Sequence, residues 1–494
     1  MTGEGAVGES EGIRYATGPG RWVLTATVLG SGMAGLDATV VNVALPTIGR
    51  EYDVGVAGLQ WVVNAYTLTL AGLLLLGGTL GDRYGRRRLF ILGTVWFALA
   101  SLACALAPNA ITLIFARGLQ GIGGALLTPG SLAILQSVFV SADRSKAIGA
   151  WSGLGGVASA IGPFLGGWLI EAVSWRLIFL INLPLAAAAV LIAIRHVPQP
   201  PVQRSRQRLD IVGALSITAG LIGVTYGLIS GPNDGWLSPL VVLSLGAGVA
   251  LLVVFLVWER HATNPMLPLG IFRSVQFSAA NAVTFVVYAA LGGGLFLLPI
   301  VLQQAVGYSP LFAGVALLPI TVIMLALSGR SGALADRIGP RLQMSLGPIV
   351  IAAGLALLVR IDGSGDYLTQ VLPAILVFGL GLAINVAPLT STALAAAPAE
   401  HAGIASGVNN GVARTAGLLA VAVLPVAAGI TGDAYLHPSA LLEGFRSAVL
   451  IAAGLCVAGG VLAAITIRNP SRGAPGPASH ELHCALEAPP LRRR

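Results

Sequence analysis

Fourteen stretches of mainly apolar residues, parted by short polar connections, leave this chain one class of fold. They run over 22–46, 58–80, 89–107, 110–138, 145–170, 175–195, 211–230, 238–258, 276–303, 311–334, 341–360, 370–396, 401–428 and 444–467. A helix needs about 20 such residues to cross the hydrocarbon of a bilayer. Backbone amides in lipid have no water to bond, so a spanning segment must satisfy them internally, as a helix does. Composition agrees. Apolar residues make up 55% of the chain and charged residues 10%, against about 25% charged in soluble proteins. The expected fold is an all-α membrane protein of 14 transmembrane helices.

The order of these stretches contains a duplication. The segment Gly78-Thr79-Leu80-Gly81-Asp82-Arg83-Tyr84-Gly85-Arg86-Arg87-Arg88 returns as Gly332-Ala333-Leu334-Ala335-Asp336-Arg337-Ile338-Gly339-Pro340-Arg341. The offset between the two aspartates is 336 − 82 = 254 residues. The copies follow the second and tenth stretches, whereas a plain six-plus-six duplication would place them after the second and eighth. An extra pair at 211–258, turning at Gly231 to Gly235, accounts for the difference. The expected division is a tail at 1–21, a six-helix half at 22–195, a linker with the inserted pair at 196–275, a second six-helix half at 276–467 and a disordered tail at 468–494. Parallel repeats of this kind place a substrate site between the halves near the membrane midplane. Pro198 to Arg208 reads as a polar, proline-rich linker.

Loop arginines set the orientation. With the amino terminus in the cytoplasm, Arg83, Arg86, Arg87, Arg88, Arg144, Lys146, Arg195, Arg204, Arg206, Arg208, Arg260, Arg273, Arg330, Arg337, Arg341, Arg468 and Arg472 fall inside. Only Arg50, Arg176, Arg360 and Arg446 fall outside. Positive charge accumulates on the cytoplasmic side, so both termini are expected there. The formal net charge of +8 is thus a matter of topology, and a nucleic-acid partner is not expected. Lys146 is the only lysine, and with 65 glycines the arginine bias points to a GC-rich bacterial genome. Cys104 and Cys456 lie in apolar stretches and Cys484 in the tail, with no disulfide framework or metal-ligand spacing. Residues 1–20, with Glu4, Glu9 and Glu11, do not read as a cleaved signal peptide.

An ionisable side chain deep in a membrane costs about 2.5–3.5 kcal/mol to insert, so it calls for a function. Asp37, Arg117 and Arg414 lie deep in stretches one, four and thirteen. Burial favours the neutral form of a carboxyl, which makes Asp37 a candidate to bind and release a proton; a fixed ion pair is the alternative. Arg117 sits in a glycine-rich run, Arg117-Gly118-Leu119-Gln120-Gly121, that lets helices approach closely. Arg414 is near enough to a helix end to snorkel. In stretch five, Gly162 and Gly166 are four apart and make a smooth groove, while Pro163 frees a backbone carbonyl. Asp210 and Glu259 at helix ends, and Asp433 and Glu443 outside, read as solvated edge charges.

Four of these features together resemble the 14-helix drug/proton antiporter branch of the major facilitator superfamily, over nearly all of 22–467. Gly78 to Arg88 resembles the superfamily loop between helices two and three, with Asp336 and Arg337 in the weaker second copy, where Pro340 replaces the first arginine of the run. Arg117 with Gln120 and Gly121 resembles the helix-four motif associated with proton coupling. Gly149, Gly162, Pro163, Gly166 and Gly167 resemble the helix-five antiporter motif, with Ala158 where glycine is usual. Asp37, Thr39, Asn42 and Pro46 resemble the helix-one motif of the 14-helix branch.

The resemblance implies rocking of two halves, with the loop of Gly78, Asp82, Arg83, Gly85, Arg86 and Arg87 locking one state. It also implies proton coupling through Asp37 and Arg117, and a cavity between helices one, four, nine and twelve. Asn42, Tyr66, Gln120, Tyr288 and Asn385 are candidates to line that cavity, with Gln303, Gln304, Phe285 and Phe296 beside them. The implied activity is proton-driven export of amphipathic, often cationic, small molecules across a bacterial plasma membrane by a monomer. A dedicated exporter of one endogenous metabolite and a lipid flippase are the alternatives. No nucleophile arrangement or phosphate loop is present, so neither enzyme activity nor a cofactor or metal is expected.

Overall fold

A computed structural model describes residues 12–199, 209–397 and 402–469. It holds 14 helices of spanning length and composition. They are α1 (Gly18–Tyr52), α2 (Val56–Tyr84), α3 (Arg86–Ala105), α4 (Ala110–Val138), α5 (Ser141–Ala172), α6 (Leu177–His196), α7 (Ile211–Asp234), α8 (Pro239–His261), α9 (Val275–Gln304), α10 (Pro310–Ile338), α11 (Pro340–Arg360), α12 (Tyr367–Ala395), α13 (Gly403–Ala427) and α14 (Pro438–Thr466). The chain is a multi-pass membrane protein. Arg204, Arg206, Arg208, Arg472, Cys484, most of the expected linker and most of both tails lie outside the described residues.

Several helices overrun their apolar stretches. α1 has 35 residues, about 50 Å at 1.5 Å per residue, because hydrogen bonding continues past the hydrocarbon into the polar interface. α7 likewise runs through Pro232 to Asp234 before Gly235 turns the chain at φ 89°. Side-chain oxygens cap the starts where the apolar pattern begins. Asn109 accepts from the Thr112 amide at 2.9 Å, and Asp210 from the Gly213 amide at 2.8 Å. Each cap satisfies an amide that the first turn leaves open. α6 is interrupted at Ile181.

The helices form two six-helix halves, α1–α6 and α9–α14, with α7 and α8 inserted between them. The inserted pair is not a detached excursion. Leu221 of α7 packs with Leu68 and Ala71 of α2 and with Leu418 of α13, so the pair leans on the line where the two halves meet.

The two ends of the bundle differ. The near end carries the Asp82 and Asp336 loops and the ends of the first and last helices. The far end carries the turns at Asp53, Arg176, Asp362 and Asp433. The largest apolar cluster crosses between halves toward the far end, joining Val43, Ile48 and Trp175 to Val301, Ala313 and Tyr435. Near-end clusters stay within one half: Val23, Phe90, Phe139 and Val197 in the first, and Ile271, Phe277, Ala405 and Val408 in the second.

Hydrogen bonds repeat the contrast. At the far end Gln303 donates to the Val43 carbonyl at 2.9 Å, Gln60 to that of Val421 at 2.7 Å, and Tyr435 to that of Val54 at 2.7 Å. Near-end ties run inside each half. Arg86 donates to the Ala133 carbonyl, and Arg341 to the carbonyl of Ala464. The α5–α10 seam is closed toward the far end. Toward the near end, Gly149, Gly153 and Gly155 of α5 and Gly329 of α10 face open space.

Candidate functional site

Asp37, at the middle of α1, is fully buried, and Arg117 of α4 is 1% exposed. Nη1 of Arg117 donates to Oδ2 of Asp37, and Nε donates to the Val62 carbonyl at 3.1 Å. The guanidinium lies over the Tyr66 ring, 4.4 Å from its centroid, with Phe179 at 5.7 Å. These faces favour a cation and exclude water around it. Gln120, one turn beyond Arg117, ties the pair together. Its Oε1 accepts from Arg117 Nη1 at 2.6 Å, and its Nε2 donates to Asp37 Oδ1 at 2.8 Å.

Two further residues complete the cluster and were not singled out from the sequence. Asn182 donates from Nδ2 to Asp37 Oδ1 at 3.1 Å and to Ser101 Oγ at 3.2 Å. Ser101 also accepts from Gln120 at 2.8 Å. Four helices of the first half thus deliver Asp37, Ser101, Arg117, Gln120 and Asn182 to one closed polar pocket. Every neighbour of the carboxylate donates to it. A mesh of this kind makes the pair sensitive to any change of charge at Asp37, because each donor is spoken for in a low-dielectric site.

The cavity candidates divide. Tyr66 is 1% exposed and Gln120 fully buried. Both serve the Arg117 cluster and are not cavity walls. The expectation failed because periodicity gives the depth of a residue but not which face of its helix meets the bundle. Asn385 is also fully buried, packed over Gly347 on the α11–α12 contact, with neither side-chain polar atom bonded. Asn42 and Tyr288 are half-buried, and Oδ1 of Asn42 is without a partner. Phe285 is exposed and Phe296 buried. Gln303, named beside the cavity candidates, is 8% exposed and ties α9 to α1. Arg414 is half-buried on α13.

The antiporter-type motif of α5 is a contact surface with a defined job. A methyl on Gly162 would fall 2.1 Å from Thr39 Oγ1, and one on Gly166 would fall 2.5 Å from Val40. These glycines seat α1. Pro163 has no amide for the Ser159 carbonyl four residues back, and that carbonyl accepts instead from Thr39 Oγ1 at 2.8 Å. The next carbonyl, of Ala160, accepts from Thr321 of α10 at 3.1 Å. Gly167 lies so close to Pro310 that a methyl would meet its carbonyl at 2.3 Å. Gly149, by contrast, packs against nothing.

In the duplicated loops, Gly85 and Gly339 adopt φ 99° and 87°, a left-handed turn that suits glycine. Their offset, 339 − 85 = 254 residues, equals that of the aspartates. Asp82 is half exposed and pairs with Arg86 of its own loop at 2.9 Å. Arg87 donates to the Ile194 carbonyl, and Arg83 lies over the Tyr84 ring. A methyl on Gly78 would meet Pro129 of α4 at 3.9 Å, an ordinary contact. Asp336 and Arg337 are exposed and line a near-end cleft with Gln276, Thr392 and Arg468.

Two edge-charge readings need correction. Asp210 is 8% and Glu259 2% exposed. Both lie beneath the packed near end of the inserted pair, where a helix-end position in sequence does not mean contact with solvent. Asp433 and Glu443 are exposed, as expected.

Residues 27–422 match the family model of the Major Facilitator Superfamily. The chain belongs to that superfamily. Its members are transporters that carry small molecules across membranes. Among its relatives within the superfamily, the multidrug resistance protein Stp of Mycobacterium tuberculosis is 37% identical over 402 residues, 81% of this chain and 74% of the relative. The puromycin resistance protein of Streptomyces alboniger is 36% identical, covering 92% of each chain. Superfamily architecture is equally clear in three dimensions. The inward-open xylose transporter of E. coli aligns with a TM-score of 0.62 at 14% identity, over 92% of this chain and 97% of that one.

Proposed function

We propose that this protein is a proton-coupled exporter of amphipathic, often cationic, small molecules in a bacterial plasma membrane, working as a monomer with both termini cytoplasmic. The observation that carries the reading is the buried Asp37–Arg117 pair with its two amide partners, Gln120 and Asn182. Proton gain by Asp37 would cancel the ion pair and weaken the charge-assisted bonds that Gln120 and Asn182 donate to it. That couples protonation to how α1, α3, α4 and α6 pack. α1 is also seated on α5, which meets the second half through Thr321. A change at Asp37 therefore has a mechanical route to the seam between halves.

The arginine-rich near end is the cytoplasmic face on this reading. The far-end seal and the open near-end glycines then describe a transporter whose site faces the cytoplasm, ready to load. The names of the two relatives, one for multidrug and one for puromycin resistance, support export of drugs and antibiotics.

The test uses inside-out vesicles with an imposed proton gradient and a panel of cationic dyes, neutral antibiotics and anionic controls. Proton release should follow addition of several unrelated cations, and Asp37→Asn should abolish it at unchanged protein abundance. Undiminished exchange in Asp37→Asn would remove that residue from the coupling step. A relative named for one antibiotic, puromycin, favours a second reading: export of a single dedicated compound. Competition among chemically unlike substrates separates the two, since a dedicated exporter shows none.

A further inference from the structure

The inserted pair contains a second buried acidic site, remote from Asp37. Asp210 caps α7. Its Oδ1 accepts from the Gly213 amide at 2.8 Å and from Trp258 Nε1 at 2.7 Å. Glu259, on the last turn of α8, accepts through Oε2 from the Leu267 amide at 3.1 Å. One oxygen of each carboxyl is thereby used. The other two, Asp210 Oδ2 and Glu259 Oε1, are buried and have no hydrogen-bond donor. Both turn to the same bare patch of backbone. A methyl on Gly213 would lie 2.6 Å from Asp210 Oδ2 and 2.8 Å from Glu259 Oε1. The two oxygens thus converge on one point beside Gly213.

Among the described residues the surroundings offer no compensating charge. α2 covers the site with Leu73, Leu75 and Leu76, and the connection after α8 adds Met266 and Leu267. Arg260 and His261 are exposed, with His261 Nδ1 turned to the Val257 carbonyl. Asp82 and Arg83 at the end of α2 are engaged with Arg86 and Tyr84. Arg414 of α13 is half-buried, and among the described residues no ion pair joins it to either carboxyl.

Two carboxylates at this separation, out of water and facing each other, repel strongly if both are ionised. One proton resolves both vacancies: the protonated oxygen donates and the ionised one accepts, in a short charge-assisted bond. Two free oxygens fall well short of the six or more a hard cation takes. We propose that Asp210 and Glu259 hold a single shared proton between Oδ2 and Oε1, and that this proton staples α7 to α8 at the near end of the inserted pair, beneath the cover from α2. Its loss leaves two like charges under an apolar cover, so α7 and α8 must part from each other and loosen the α2 and 262–268 side chains that cover them. Because α7 also touches α13, this is a proton-dependent contact on the line where the two halves meet.

The proposal stands apart from the coupling role given to Asp37, and its test needs neither gradient nor substrate. Infrared spectra of the full-length protein in lipid nanodiscs, titrated with pH, should show the carbonyl band of a protonated carboxylic acid at neutral pH that fades as pH rises. The band should survive Asp37→Asn and be lost in Glu259→Gln. Thermal stability of the parent protein should fall as pH rises through the same transition. Glu259→Gln, whose amide donates permanently to Asp210, should flatten that slope. If Glu259→Gln does not accumulate, Gly213→Ala serves instead: its methyl separates the two oxygens and should remove the band. A parent protein without the band, a band unchanged in Glu259→Gln or Gly213→Ala, a band lost in Asp37→Asn, or a transition that depends on sodium and not on pH would each overturn the shared proton.

Discussion

The two halves descend from one six-helix pattern, yet they bury polarity differently. The first half encloses an ion pair, Asp37 with Arg117, in which the side-chain amides of Gln120 and Asn182 answer the carboxylate. The second half buries neutral amides. Asn409 of α13 donates to Asn281 and Thr284 of α9, and Gln343 of α11 to Ser331 of α10. Asn385 on α12 has no partner for either polar atom. The lesson is a division of labour. The buried ion pair, and on the proposed reading any response to protons through Asp37, belongs to the first half, while the second buries neutral amides.

The sharpest way to break this contrast is to remove one member of the pair. Arg117→Leu should destabilise the protein by about 3–5 kcal/mol, because an uncompensated buried carboxylate remains. Adding Asp37→Asn to it should restore most of that loss in thermal unfolding while leaving proton-driven efflux dead. That double variant turns the first half into a neutral one like the second. Persistence of coupled transport in it would show that charge in the first half is dispensable.

Asn182→Ala is the next test. It removes two donors, to Asp37 and Ser101, and should cost about 1–3 kcal/mol with a displaced pH profile of efflux. Unaltered stability and profile would place Asn182 outside the cluster's energetics. Gln303→Leu should cost the far-end-closed state about 1 kcal/mol. Cysteine labelling of far-end positions would read it as raised accessibility. Asn385→Leu should change stability by less than about 1 kcal/mol in either direction, since no hydrogen bond is lost and similar volume is kept. A large loss would mean that Asn385 has a partner in another state of the transport cycle.

The smallest effect concerns a far-end turn of the second half. The side chains of Ser364 and then Gln370 hold the exposed Asp362 carboxyl down at about 2. A depressed carboxylate gives support that is present above its ordinary range and lost as pH falls through the folded value. Protection of the 362–370 turn from hydrogen exchange, relative to the intrinsic rate at each pH, should therefore be flat from pH 7 to pH 5 and fall only in strong acid.

Much of this was legible in the sequence, and the failures have physical causes. Helix number and the duplicated halves follow from run length, and the left-handed Gly85 and Gly339 turns lie inside the repeated motif. The freed carbonyl at Pro163 was readable, but its recipient, Thr39, was not, since a hydrogen bond between helices leaves no spacing in the chain. Asn182 and Ser101 escaped notice because a single small polar residue in an apolar stretch is commonplace. An amide beside the break of α6 at Ile181 was the available signal. Tyr66 and Gln120 were given to the cavity because depth in the membrane is readable and azimuth around the helix is not. Asp210 and Glu259 looked like edge charges because a helix end in sequence carries no information on what lies above it.

The far-end seal has one further property. Gln303, Gln60, Tyr435 and Thr321 all reach across to backbone carbonyls, at Val43, Val421, Val54 and Ala160. A carbonyl is present whatever side chain the accepting residue bears. The accepting positions can therefore drift through mutation without unlocking the gate, so long as their helices keep their path. Selection on the side-chain bonds of this seal therefore falls on these four donors, while the residues whose carbonyls receive them are free to change their side chains.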